Sequence, residues 1–394
     1  MKVTIYNIAL CSYGTSCGGG DIFLSKVIPR LARKYFSVAC FGYNTFGKDL
    51  SPRRNLKSIS LLSKNIQRKQ SNIEIGLLYF MLFFKSLKYL KPVDTNSSVV
   101  ISHSDAWPDA LFAFFFKKKN RNVKWIAINH LILPGLFKGY KNAYTGKFKI
   151  PSAADIYQWI NQRVFFLLQK KADLLVSINS NDRDYLLNKN KNVFIIRHGR
   201  EYTGEIESDL SAKSYDVCYL GRFFEQKGID EIPSILDNLA RIMGRKISVI
   251  FIGRQNNYSR WLEKQVTGHQ YEVAFAGFKS GEAKFDLLKK SKVLILPSYF
   301  ESFGIVYLDA LSVGVPVVEY DLPCFADHKF GVIKVPFQDN DAFAAAVCNL
   351  LSDEKLYSRL SFQGYRFSQD FSWDKTAESL DKYIEAWCRP ERIE

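Results

Sequence analysis

Apolar and polar positions change period repeatedly along the chain. Short runs rich in Val, Ile and Leu alternate with longer stretches in which apolar residues recur three or four apart. The runs predict buried strands and the stretches amphipathic helices. In the first half, strands are expected at Val3–Ala9, Ser37–Gly42, Val99–Ser102, Lys124–Asn129, Asp173–Ile178 and Val193–Ile196, with a helix from about Asp21 to Tyr35. In the second half they are expected at Asp216–Leu220, Ile247–Ile252, Tyr271–Ala276, Val293–Pro297, Val315–Glu319 and Gly331–Val335. Strands alternating with helices predict parallel sheets covered on both faces, an α/β class. Two such halves predict two doubly wound domains, 1–200 and 201–370, with the Gly-bearing polar stretch Arg197–Ser214 linking them. The length of 394 residues supports at least two cores.

Charge divides the halves. Residues 1–200 hold 32 Lys and Arg against 10 Asp and Glu, net +22, whereas residues 201–394 hold 23 against 29, net −6. A one-sided basic surface predicts an anionic partner: nucleic acid, anionic lipid or a phosphorylated substrate. The high aromatic content, 31 Phe and 21 Tyr, fits a membrane face as well as a nucleic-acid face. No helix-turn-helix, RNA-recognition or zinc pattern supports the nucleic-acid option. The longest apolar run, Leu77–Phe84, stops at Lys85, far short of the ~20 residues that a transmembrane helix needs. Met1–Cys11 has one Lys, a polar Asn7 and no small-x-small cleavage site, so it reads as a strand rather than a signal peptide. Seven scattered cysteines without a Cys-x-x-Cys pair fit reduced thiols and a cytoplasmic setting. Five histidines make a multi-His metal site unexpected, so no metal is assigned.

Ligands of doubly wound sheets lie beyond the carboxyl ends of the strands. Two stretches there carry chemistry in the second half. Gly221-Arg222-Phe223-Phe224-Glu225-Gln226-Lys227-Gly228 places two cations just past a strand, where a diphosphate is held by charge-assisted hydrogen bonds. Leu296-Pro297-Ser298-Tyr299-Phe300-Glu301-Ser302-Phe303-Gly304-Ile305 ends a strand, offers a carboxylate and opens a helix, whose unpaired amides attract anions. Asp309 follows eight residues after Glu301, two turns into that helix, and Gly314-Val315-Pro316 ends it. Solvated turn charges are the competing explanation for the first stretch.

With Phe275-Ala276-Gly277-Phe278, these blocks resemble a retaining glycosyltransferase of family 4 type, the glycosyl transferases group 1. Ala172–Ser177, Val193–Glu201 and Phe371-Ser372-Trp373-Asp374 extend the resemblance over roughly the last 225 residues. It implies the GT-B architecture, two Rossmann-like domains facing across a cleft, with the C-terminal helix 371–394 packed back on the first. It also implies an enzyme moving a hexosyl group from a nucleotide diphosphate sugar, with UDP or GDP as carrier and no cofactor. Arg222 and Lys227 would hold the donor diphosphate, and Glu301 the sugar hydroxyls. The Ser302, Phe303, Gly304 and Ile305 backbone would face sugar and phosphate, Asp309 the ribose, and Phe278 the base. Asp309 stands where the family pattern usually has Glu, and Arg197-His198-Gly199-Arg200-Glu201 where Pro-Asn-Gly-Val-Asp is typical.

In the first half, Gly18-Gly19-Gly20 lacks the G-x-G-x-x-G spacing, and the resemblance places Gly19 and Gly20 against the donor phosphates. His130, just past a strand, matches a position that contacts the donor sugar or transition state; a structural strand-end histidine is the alternative. His103, with Ser104 and Asp105, is an acceptor-side candidate. Lys138, Tyr140, Lys141 and Tyr144 lie in an acid-free basic-aromatic segment suited to lipid headgroups or an anionic acceptor. The expected acceptor is a glycan or lipid-linked hydroxyl of cell-envelope polysaccharide or lipopolysaccharide, reached by a protein peripheral to the inner face of the membrane. Another GT-B sugar-nucleotide enzyme, or a non-catalytic nucleic-acid or membrane binder, are the alternatives.

Overall fold

The computed structural model describes residues 3–10, 18–35, 37–42, 55–61, 72–93, 98–104, 106–133, 135, 153–204, 206, 213–268 and 271–388. They form two compact units. One comprises the described residues up to 135, then 153–198 and 373–388; the other comprises 199–372.

The first unit is built on seven parallel strands: β1 (Thr4–Ala9), β2 (Ser37–Gly42), β3 (Leu56–Ser60), β4 (Ser98–Ser102), β5 (Lys124–Asn129), β6 (Leu174–Ser177) and β7 (Val193–Ile195). Their order is β3-β2-β1-β4-β5-β6-β7. The strands are buried along their whole length and mainly apolar where the sheet is covered on both faces, as in β4 and β6. The helices are α1 (Gly19–Lys34), α2 (Asn72–Ser86), α3 (Trp107–Lys119), α4 (Ala153–Gln169), α5 (Ser180–Leu187) and, from the far end of the chain, α12 (Trp373–Cys388). Helix α12 packs along α1, where Arg30 meets Asp374 at 2.8 Å and Lys34 meets Glu385 at 2.6 Å. On the α2–α3–α4 side, Leu82, Phe112, Phe116, Trp125 and Phe166 share one core.

The second unit has six parallel strands: β8 (Tyr215–Leu220), β9 (Ile247–Ile252), β10 (Tyr271–Gly277), β11 (Ser291–Leu296), β12 (Val317–Tyr320) and β13 (Val332–Val335). Their order is β10-β9-β8-β11-β12-β13. Around them lie α6 (Ile232–Met243), α7 (Asn257–Val266), α8 (Glu282–Lys289), α9 (Ile305–Ser312), α10 (Asn340–Ser352) and α11 (Glu354–Ser368). Both sheets are Rossmann-like, and a chain of two such domains has the GT-B fold. Each sheet reverses its winding once, between β1 and β4 and between β8 and β11. Those switch points are where open α/β sheets bind ligands.

Strand β3 was not expected from the sequence. Its Leu56-Lys57-Ser58-Ile59-Ser60 has only two apolar residues, separated by two polar ones, and sits at the sheet edge, so it lacks the apolar run that marks the inner strands. Among the described residues no helix is long and apolar enough to cross a membrane.

Candidate functional site

The two loops that leave β8 and β11 at the second switch point are stitched together. The Gln226 amide donates to the Phe300 carbonyl at 2.9 Å, and the Tyr299 N–H donates to the Gln226 carbonyl at 2.9 Å. Gly228 sits between them in the left-handed region, φ 65°, where a Cβ would lie 1.8 Å from the Pro297 carbonyl oxygen. This contact forces glycine and holds the loops at backbone distance. As a result the Lys227 ammonium forms an ion pair with the Glu301 carboxylate, which also accepts from the Ser298 hydroxyl at 3.1 Å. Arg222, whose carbonyl accepts from the Tyr219 hydroxyl, is solvent-exposed beside them.

Helix α9 opens at Gly304, φ 67°, with no side chain capping its first amides. Its entry is fixed from below by His328. The imidazole stacks on Tyr307, centroids 3.7 Å apart, and on Phe325 at 4.6 Å. Its Nε2 donates to the Phe303 carbonyl at 2.7 Å, and its Nδ1 faces the fully buried Glu319 carboxylate at 2.9 Å. Burial raises the Glu319 carboxyl above its ordinary range, against the opposing pull of His328 beside it.

Asp309, on α9, is held by a residue that sequence reasoning missed. The buried Lys284 of α8 donates to Asp309 at 2.7 Å and to Glu201 at 3.1 Å. Burial alone would depress the Lys284 amine, but the two carboxylates hold it above the usual lysine range. The amphipathic pattern of α8 assigns this lysine to solvent, and no local signal names its partners. Phe278, half-exposed after β10, stacks under the Arg254 guanidinium at 5.7 Å.

At the first switch point, α1 starts with Gly18 as a cap that offers no side chain. His103 follows β4 and bonds the Gly20 carbonyl through Nε2 at 2.9 Å. His130 follows β5 with its ring against Gly20, where a Cβ would stand 3.2 Å from Cδ2. His198 completes the group. The ring centroids of His103 and His130 are 5.0 Å apart, and those of His130 and His198 6.3 Å. Phe23 of α1 lies within 6 Å of all three. Burial pushes His103 and His198 down to about 4, against opposing contacts with the Gly20 and Gly19 backbone. Burial, then the neighbouring His103 and His198, push His130 well below the ordinary range. All three are neutral at pH 7. The sequence named His103 and His130 separately; the fold brings them together with Gly19, Gly20 and His198.

Lys138, Tyr140, Lys141 and Tyr144, and also Asp105, lie outside the described residues. Asp182 and Asp184, which have metal-motif spacing in the sequence, sit on α5, where Asp182 engages the helix cap through Asn179. Among the described residues, no group of three or more His, Cys, Asp or Glu is arranged to hold a metal ion.

Comparison with known proteins agrees with this geometry. The family model of the glycosyl transferases group 1 matches residues 205–367, the whole β8–α11 sheet domain. An uncharacterized glycosyltransferase of Methanocaldococcus jannaschii is 29% identical over 175 residues, 42% of this chain and 44% of the relative. The chain thus aligns with under half the length of that relative. A processive diacylglycerol alpha-glucosyltransferase of Acholeplasma laidlawii is 25% identical over 259 residues, 64% of this chain and 71% of the relative. The solved structure of sucrose-phosphate synthase from Thermosynechococcus elongatus superposes with a TM-score of 0.73 over 98% of this chain and 99% of that one, at 18% identity. Residues 205–367 are thus similar to the glycosyl transferases group 1, and the chain has a GT-B fold.

Proposed function

We propose that the protein is a retaining glycosyltransferase that moves a hexosyl group from a UDP- or GDP-sugar to a hydroxyl of a glycan or lipid-linked acceptor. The Lys227–Glu301 pair at the β8/β11 switch point carries this reading. One loop offers a cation to a diphosphate, the next offers a carboxylate to sugar hydroxyls, and Gly228 fixes their separation. Arg222 and the uncapped amides at the start of α9 add positive potential beside them. Asp309, set by Lys284, is the fifth residue of α9 and stands there for the ribose hydroxyls, with Phe278 for the base.

In the reaction the bond from the anomeric carbon to the diphosphate breaks and its electron pair leaves with the diphosphate. Lys227, Arg222 and the α9 amides stabilise that growing charge. The acceptor oxygen forms the new bond on the same face, and its proton passes to the departing phosphate oxygen. His130, neutral and beside Gly19 and Gly20, is assigned to the donor sugar in the first domain. The acceptor fits a cell-envelope polysaccharide or lipopolysaccharide precursor, met at the cytoplasmic face of a membrane. The +22 charge of residues 1–200 supports that setting.

The test is nucleotide release from a panel of UDP- and GDP-sugars by wild type, Lys227→Ala and Glu301→Gln. Release from one donor, reduced about 10²- to 10³-fold in both variants, is the expected result. Failure of every nucleotide sugar to bind, measured by calorimetry, would sink the reading.

A further inference from the structure

Helix α4 is apolar on more than its core face. Its buried face carries Gln162, Phe166 and Gln169, with Gln162 spent on the backbone of Leu131 and Leu133. Its outward face carries Ile156, Tyr157, Ile160, Val164 and Leu167. An amphipathic helix of a domain that faces only water has a polar outward face. Helix α2 repeats the anomaly: Leu77, Phe80, Met81 and Phe84, spaced three and four apart, point outward. Phe115 of α3 adds to them. These ten apolar side chains are 38–66% exposed. Helix α3 packs against both α2 and α4, and Trp107 joins the three, with its ring 5.4 Å from Phe83 and 6.4 Å from Phe165. The result is one continuous helical face, of a kind that monomeric proteins rarely leave to water.

Charge identifies its occupant. Helices α2, α3 and α4 lead into β4, β5 and β6, which are parallel neighbours, so their C-terminal ends share one edge of the face. That edge carries exposed Lys85, Lys88, Lys118, Lys170 and Lys171. The acids of α2 and α4, Glu74 and Asp155, sit at the opposite ends of their helices. An apolar plane with lysines along one rim matches a bilayer surface, with side chains entering the acyl boundary and ammonium groups at anionic headgroups. We propose that the α2–α3–α4 face of the first domain docks on an anionic lipid membrane. The inference deepens the proposed function, and rests on it only for the idea that the acceptor is lipid-borne.

The test is sedimentation of the full chain with vesicles of phosphatidylcholine alone or mixed with phosphatidylglycerol, without donor or acceptor. Docking can therefore fail while transfer succeeds, and the reverse. Wild type is expected to pellet with the mixed vesicles and weakly with the neutral ones. Ile160→Glu with Leu167→Glu, Phe80→Glu with Phe84→Glu, and Lys85→Glu with Lys88→Glu are each expected to weaken binding at least tenfold. These positions are exposed, so the folded circular dichroism spectrum and melting curve of each variant should match wild type. Wild type that ignores anionic vesicles would overturn the proposal, as would binding untouched by all three pairs. A wild-type dimer that ignores vesicles, with Ile160→Glu/Leu167→Glu monomeric, would overturn it too and assign the face to a second copy of the chain.

Discussion

Lys284 takes a positive charge into the interior of the second domain, where Asp309 and Glu201 meet it. Removing one member of a buried ion pair leaves the other uncompensated and costs about 3–5 kcal/mol. Lys284→Met keeps an unbranched side chain one atom shorter and loses the charge. It is expected to lower the melting temperature by many degrees and to weaken donor binding, because Asp309 loses its fixed position. A wild-type melting curve for Lys284→Met would refute the pairing. The sequence shows why some residues were legible and this one was not. Arg222, Lys227 and Glu301 lie in continuous stretches after strands, so their order along the chain already describes the site. Lys284 finds its partners 25 and 83 residues away, and only the fold brings them together. His328 escaped for a like reason: its meaning lies in Tyr307 of α9 and Glu319 of β12, which meet it beside Phe325 of its own turn.

The inner strands were legible as elements, because a strand buried on both faces is mainly apolar along its length. The edge strand β3 and the outward face of α4 were not. Periodicity in α4 shows an apolar stripe, and the ordinary rule puts that stripe in the core. The structure instead buries Gln162 and Gln169 beside Phe166 and leaves Ile156, Ile160, Val164 and Leu167 outside, with Gln162 satisfied by backbone groups that the sequence does not announce. At the switch point the loops are as constrained as any strand. Gly228→Ala asks a β-carbon to occupy the space of the Pro297 carbonyl and a side chain to adopt φ 65°. The two loops must separate, and Lys227 and Glu301 with them. The expected outcome is loss of nucleotide-sugar binding by calorimetry, with destabilisation of about 2 kcal/mol or more. Donor affinity equal to wild type would show that the loops do not set the site.

At the scale of the molecule, the two domains answer acid differently. His103 and His198 are held near 4 when folded, against about 6.5 for an unfolded histidine. The unfolded chain therefore takes up protons that the folded one refuses, and stability falls as pH drops from about 6.5 towards 4. By pH 5 the loss is about 2 kcal/mol per ring. In the second domain, burial of Asp216 is outweighed by Arg245, Ser248 and Lys292, which hold its carboxyl down at about 2, so its contribution is lost only as pH falls from about 4 towards 2. Five of the six tryptophans, Trp107, Trp125, Trp159, Trp373 and Trp387, belong to the first domain. Fluorescence melting at pH 7.5 and pH 5 should therefore show the tryptophan transition fall by several degrees; an unchanged transition would contradict the buried neutral histidines. The division of the chain at 198 and 372 also has a topological meaning. Arg200 and Ser372 pair at one end of the second domain, while the His198 and Trp373 rings stand 5.8 Å apart in the first. Among the described residues, the second unit is thus a cassette whose chain enters and leaves at adjoining points, and a different cassette could enter there without the host losing the continuity of its own fold.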